Sequence, residues 1–192
     1  TGAFIILLML GGMDVFDSIC HAFATTGTGG FSTKQASIEF YHSPYIEYVI
    51  SIFMFVSGIN FTLLLLFVNG KFRKFIHDAE LKWYLWSVIG FTAFIAIVLY
   101  YNSSMGVEEA FRKSLFQVAS LHTSTGFATA DYMTWPSVLW GTLTVIMIIG
   151  ACAGSTTGGM KCIRLLILAK ISRNEFKHIT HPNAVLPVRV NK

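Results

Sequence analysis

Thr25-Thr26-Gly27-Thr28-Gly29-Gly30-Phe31-Ser32-Thr33 and Thr123-Ser124-Thr125-Gly126-Phe127-Ala128-Thr129 are two copies of one Thr/Gly-rich stretch, and each lies ahead of a long apolar run. At membrane depth every backbone N–H and C=O must be satisfied. A Gly/Thr stretch between hydrophobic helices is therefore tolerable only where it is buried in protein or lines a polar path. The layout is that of a re-entrant pore loop, and a path for ions is its natural use.

Composition agrees with a lipid setting. Hydrophobic residues make up 54% of the chain, aromatics 15% and charged residues 12%, and the mean hydropathy is +0.60; soluble domains carry about 25% charged residues. The sequence lacks the period-two alternation of a barrel strand. Instead, Tyr48 to Val68 and Trp83 to Tyr101 reach the roughly 20 residues that cross a hydrocarbon core about 30 Å thick. The run from Val138 to Ile149 is shorter and resumes at Ile163 to Ala169 after a Gly-rich break, while Phe4 to Leu10 reads as the tail of a further crossing. Thr1 is followed by apolar residues without a basic leader or a cleavage site, so no signal peptide is expected and the chain reads as an internal piece. Cys20, Cys152 and Cys162 have no paired or metal-type spacing and read as packing residues.

The net charge of +4 is distributed in blocks. Lys71, Arg73, Lys74 and Lys82 sit between two crossings, and Lys161, Arg164, Lys170, Arg173 and Lys177 follow the last. Asp14, Asp17, Glu39, Glu47, Glu108, Glu109 and Asp131 occupy the other side. The positive-inside rule places the basic segments in the cytoplasm, with Lys34, Arg112 and Lys113 as exceptions on the acidic side. A cytoplasmic anchor explains this charge better than a nucleic-acid partner does.

An internal repeat organises the chain. Gly30 aligns with Gly126 at an offset of 96 positions, which also sets Phe16 to Phe23 opposite Arg112 to Ala119; Pro44 and Pro136 share an offset of 92, as do Gly58 and Gly150. Each unit reads helix, short pore helix, Thr/Gly loop, helix. The short segments Asp14 to Ala24 and Glu108 to Leu121 cannot span but suit re-entrant half-helices. Asp14, Asp17, Glu108 and Glu109 sit where a helix dipole is positive. The partially negative ends then face the Thr/Gly loops, a favourable field for a cation.

A dehydrated monovalent cation needs several oxygen ligands, and backbone carbonyls can replace its water shell. Glycine suits such a site because it reaches positive φ at little steric cost. Thr and Ser hydroxyls can add ligands or bond the loop from behind. Neither loop holds an acidic ring, which favours a potassium filter of carbonyls over a carboxylate site for divalent ions.

With Gly150-Ala151-Cys152-Ala153-Gly154-Ser155-Thr156-Thr157-Gly158-Gly159-Met160-Lys161, these loops resemble the TrkH/KtrB superfamily of potassium uptake proteins, on its TrkH side. The resemblance covers nearly the whole chain. It implies an all-α membrane protein of potassium-channel-like architecture, with repeated helix, pore-loop, helix units, one broken helix, and four repeats around one pore. On this reading 1–82 is the second repeat, with pore helix 14–24, filter 25–33, helix 44–69 and cytoplasmic loop 70–82. The third repeat is 83–170, with helix 83–101, pore helix 108–121, filter 122–129 and broken helix 137–169, and 171–192 is a cytoplasmic connection. The filter residues are Thr26, Gly27, Thr28, Gly29, Gly30, Thr123, Ser124, Thr125, Gly126 and Phe127. His122 departs from the small or hydroxyl residue expected there. The resemblance further implies the first and fourth repeats elsewhere in the protein, a homodimer, a cytoplasmic nucleotide-binding regulatory subunit and a multi-pass position in the inner membrane. Potassium is then the transported ion, with no covalently bound cofactor and no enzymatic chemistry.

Gly150, Gly154, Gly158 and Gly159, with Ser155, Thr156 and Thr157, interrupt an apolar helix, and each Gly disfavours helix by roughly 1 kcal/mol relative to Ala. The segment should be non-helical and mobile, and polar backbone there must face protein or a water-filled route. The resemblance implies a gating loop under the filter. Lys161 would cost about 2.5 to 3.5 kcal/mol at the bilayer centre, so it faces a cavity or snorkels. Gly154 to Gly159 fits half of a phosphate-binding loop, but Met160 stands where Lys is required and no Ser or Thr follows Lys161, which excludes an NTPase.

Ser57, Asn60 and Thr62 are expected to hydrogen-bond neighbouring helices, and His77 and Asp78 to be solvated. Trp83, Trp86, Tyr100, Tyr101, Trp135 and Trp140 read as interfacial aromatics. The expected function is transmembrane potassium transport through a carbonyl filter gated by the Gly-rich loop. The alternatives are a non-transporting membrane scaffold and a sodium-permeable cation transporter of the same fold.

Overall fold

The computed structural model describes residues 1–103 and 105–180. Residues 181–192, the far part of the expected cytoplasmic connection, lie outside the described residues; the near part is the end of a helix. The chain is predominantly α-helical, in the order α1 (Gly2–Leu10), α2 (Val15–Thr26), α3 (Pro44–Ser57), α4 (Phe61–Val68), α5 (Phe72–His77), α6 (Ala79–Asn102), α7 (Val107–His122), α8 (Ser137–Ile148) and α9 (Cys162–Thr180). Two-residue strands β1 (Ile149–Gly150) and β2 (Met160–Lys161) pair in parallel across the loop between α8 and α9.

The duplication read in the sequence is physical. Helices α2 and α7 end at Thr26 and His122, the offset of 96 again, and carry acids in their first turns, Asp17 in α2 and Glu108 with Glu109 in α7. Helix α3 begins with Pro44 at its first position, where the missing N–H is harmless. Helix α6 starts before Trp83 because the Asp78 carboxylate accepts the Leu81 N–H at 2.9 Å; Asp78 is a cap rather than a merely solvated residue. Among the described residues α6 alone is long and apolar enough to cross a membrane by itself.

The expected continuous helix 44–69 is in fact two helices, α3 and α4, bent by 103°. Helix α3 ends at Gly58, and the Asn60 Oδ1 accepts the Thr62 N–H at 2.8 Å to start α4. A Cβ on Gly58 would stand 2.3 Å from the Tyr84 hydroxyl oxygen, which itself donates to the Phe55 carbonyl at 3.1 Å. Two of the three polar side chains expected to reach neighbouring helices are spent locally: the Ser57 hydroxyl donates to the Met54 carbonyl and Asn60 caps α4.

Helix α7 is the centre of the packing although its sequence is among the less apolar. One face joins Ile95, Leu99, Leu139 and Leu143 through Val118, and another joins Ile46, Ile50, Phe4 and Leu8 through Phe116 and Ala119. Trp135 is buried in the first of these clusters rather than lying at an interface, whereas Trp86 and Tyr101 are exposed. Association in lipid draws on close packing and polar pairs more than on hydrophobic transfer. The three basic exceptions on the acidic side supply such pairs: Lys34 with Asp17 at 3.2 Å, Arg112 with Glu47 at 2.5 Å and Lys113 with Glu109 at 2.8 Å. Arg112 also meets Glu108 at 3.0 Å, tying α7 to α3.

Candidate functional site: two matched turns and the loop against them

Beyond α2 the backbone closes through Gly27 N–H to Phe23 O (2.9 Å), Thr28 N–H to Thr25 O (3.1 Å) and Gly29 N–H to Ala24 O (2.7 Å). Beyond α7 the same three bonds recur at the offset of 96, as Thr123 to Ala119 (3.1 Å), Ser124 to Leu121 (3.0 Å) and Thr125 to Ser120 (2.8 Å). Left-handed residues recur as well: Thr28 has φ +51° and Gly30 +66°, matched by Ser124 at +55° and Gly126 at +87°. For Thr and Ser this conformation costs about 1–2 kcal/mol. Two matched outliers of this kind point to function.

The hydroxyls bond backwards. Thr25 Oγ1 donates to His21 O (2.7 Å), Thr26 Oγ1 to Ala22 O (2.9 Å) and Thr123 Oγ1 to Ala119 O (2.7 Å), while Thr125 Oγ1 lies 2.7 Å from Thr123 Oγ1 and Ser120 Oγ donates to Phe127 O at 2.6 Å. Among the described residues no protein donor engages the carbonyls of Thr28, Gly29, Gly30, Thr123, Ser124, Thr125 or Gly126. The two turns touch, since a Cβ on Gly30 would fall 1.8 Å from the Thr125 carbonyl oxygen. All ten predicted filter residues thus fall in two abutting turns, with Phe127 buried and its ring 5.8 Å from His21.

The eight predicted loop residues lie in one loop between α8 and α9 whose tip touches the same turns. Gly150 pairs with Lys161 in the strand register, and Cys162 N–H donates to Ala151 O at 3.1 Å, closing the base of the loop. At its tip Thr156 makes reciprocal bonds, its carbonyl accepting from Thr28 Oγ1 at 3.1 Å and its hydroxyl donating to Thr26 O at 3.3 Å. A Cβ on Gly158 would sit 3.3 Å from Ser124 Oγ. Ser155 and Thr157 hydroxyls are 2.8 Å apart, and Lys161 Nζ donates to the Thr157 carbonyl and, at 2.9 Å, to its hydroxyl. Lys161 therefore braces its own loop.

Three anchors of this loop escaped sequence reasoning. The α3–α4 elbow holds it through Cys152 N–H to Gly58 O and Phe61 N–H to Gly154 O, both 3.1 Å. Glu80, buried at the start of α6, accepts the Ala153 N–H at 2.6 Å. His122 reaches the Ile149 carbonyl. The pairing of Gly58 with Gly150 at one offset was the available signal for the elbow, because both long helices break at that glycine. An acid two residues after a capping Asp gives no comparable signal for Glu80.

On the acidic side, away from the spanning helices, Asp17 accepts hydrogen bonds from Thr33 Oγ1 and Tyr41 Oη, each at 2.7 Å. The Thr33 and Tyr41 hydroxyls hold its carboxyl down at about 2, despite opposing burial, while burial and the bond to Asp17 raise the Tyr41 phenol to about 12. A carboxylate depressed in the folded state contributes stability that is whole above its ordinary value of 3.8 and fades as pH falls through about 2. Thr33→Val removes the leading donor. It should lower stability at pH 7 by about 1 kcal/mol and move the acid limb of a thermal-unfolding profile in detergent to higher pH.

Taken together, the apolar helices and the two duplicated helix–turn units with an interposed loop define a helical membrane protein. The family described as "Cation transport protein", TrkH, matches residues 7–192, and the chain belongs to that family. It is 38% identical over 196 residues to the Trk system potassium uptake protein TrkH of Escherichia coli (strain K12), covering 99% of this chain and 40% of that protein. It is 36% identical over 187 residues to the protein of the same name from Halomonas elongata, covering 96% and 38% respectively. The crystal structure of the potassium transporter TrkH from Vibrio parahaemolyticus superposes with a TM-score of 0.91 at 35% identity, over 98% of this chain and 41% of that one. The chain thus spans about two fifths of the length of these relatives.

Proposed function

We propose that this chain is the middle portion of a potassium transporter of the inner membrane, and that its two turns are two segments of a backbone-carbonyl selectivity filter. The observation that carries this reading is the matched pair of strained turns with seven carbonyls free of protein donors. A left-handed residue turns its peptide plane relative to a right-handed neighbour, so left-handed residues at alternate positions suit a row of oxygens replacing a hydration shell. Hydroxyls bonded backwards stiffen the row without crowding it. The loop 150–161 touches both turns through Thr156 and Gly158, which suits an obstruction next to the filter. The relatives, Trk system potassium uptake proteins, agree with potassium as the ion. The remaining two repeats complete the ring, and a second copy and a cytoplasmic nucleotide-binding subunit belong to the same reading.

The experiment is Gly126→Ser in the full-length protein, assayed for potassium and sodium flux. A reduced potassium-over-sodium preference at normal membrane abundance is the expected result. Flux and preference both unchanged would remove the filter and leave a packing scaffold; a wild-type protein that passes both ions equally would make it a general cation pathway.

A further inference from the structure

His122 stands, at the offset of 96, where the first unit has Thr26, and its bonds are of another kind. Thr26 bonds back to its own helix. The His122 ring is fully buried, with Nδ1 2.6 Å from the Ile149 carbonyl oxygen and Nε2 2.8 Å from Ser87 Oγ. A carbonyl only accepts, so Nδ1 carries a proton toward Ile149, while Nε2 faces the Ser87 hydroxyl, which also donates to the Tyr84 carbonyl at 2.8 Å. Ile149 is the residue at which α8 stops and the loop begins. His122 itself is the last residue of α7, followed at once by Thr123 of the second turn. One imidazole therefore joins the filter turn to the root of the loop. The ring also meets Tyr84 edge-on at 5.2 Å, and Tyr84 fills the elbow at Gly58 that holds the loop from its other side.

We propose that His122 is a positioning residue that couples the second filter turn to the position of loop 150–161. Any displacement of the loop that carries Ile149 away from α7 must break the Nδ1–H bond, and a change in the turn is passed to the loop root through the same bond. This inference rests on the reading of 150–161 as an obstructing loop. It adds the element that sets how readily the loop leaves.

The test uses the full-length protein and three variants. His122→Leu keeps volume and loses both bonds; it should raise potassium flux about fivefold or more, the lower end of ordinary coupling strengths, with the potassium-over-sodium ratio unchanged. His122→Asn retains a donor near the Nδ1 position and should stay near wild type. In a protein shortened within Ser155 to Gly159, His122→Leu should add nothing further, whereas a residue that only supports folding would lower flux in both backgrounds. If His122→Leu does not reach the membrane, His122→Thr, which restores the residue of the matched position, takes its place in the same comparison. Wild-type flux in the Leu or Thr variant, alongside raised flux in the shortened protein, overturns the coupling and spares the loop. Unraised flux in the shortened protein overturns the loop reading itself.

Discussion

Gly30→Ala in the full-length protein should abolish selective potassium flux, by about 100-fold or more, while Gly126→Ala lowers it about 5- to 30-fold, the factor that one or two kcal/mol commands. Both glycines are left-handed, at φ +66° and +87°, so both substitutions meet the same backbone penalty of about 1–2 kcal/mol. They differ in what a new methyl group would touch. At Gly126 nothing lies within 4 Å, whereas at Gly30 the added carbon would fall 1.8 Å from the Thr125 carbonyl oxygen and 2.9 Å from the Thr125 carbonyl carbon. These are backbone atoms of the other turn. Relief requires the two turns to separate, and the oxygens of both then leave their places together. The measurement is potassium uptake and its ratio to sodium uptake in cells without other potassium systems, normalised to protein in the membrane. Equal losses for the two variants would mean that backbone handedness alone matters and that the contact between turns carries no weight.

How much of this was legible in the sequence follows from where each determinant lies. The turns were legible because Gly and Thr at fixed offsets are local and repeated, and the backbone bonds closing each turn come from the helix immediately before it. The elbow was not. Gly58 and Asn60 are weak breakers within an apolar run, and the groups that make the bend permanent come from elsewhere in the chain: the Tyr84 hydroxyl, the Cys152 N–H and the Gly154 carbonyl. The three basic residues on the acidic side looked like exceptions to charge sorting until their partners Asp17, Glu47 and Glu109 were placed. His122 announced itself as a departure from the expected residue type, but its meaning depends on Ile149 and Ser87, neither of which carries a signal in the sequence. Long-range pairing of ordinary residues is what periodicity and composition do not encode.

Removing residues 156–158 from the full-length protein should raise potassium flux about tenfold, within the range of ordinary coupling between sites, and leave the potassium-over-sodium ratio where it was. The loop's contacts divide cleanly. Its tip touches the turns through Thr156 on Thr26 and Thr28, and through Gly158 beside Ser124. Its base is held by the Gly150–Lys161 strand pair, by the elbow at Gly58 and Phe61, and by Glu80 on Ala153. The deletion takes the tip and spares those base anchors, so α8 and α9 keep their relation while the polar backbone that lies against the turns is withdrawn. Selectivity is preserved because no residue of either turn is altered, and the bonds closing the turns originate in α2 and α7. The same assay as for Gly30 reads the outcome. A fall in flux at normal membrane abundance would make the tip a support for the turns rather than an obstruction, and a rise accompanied by loss of preference would make Thr156 part of the filter.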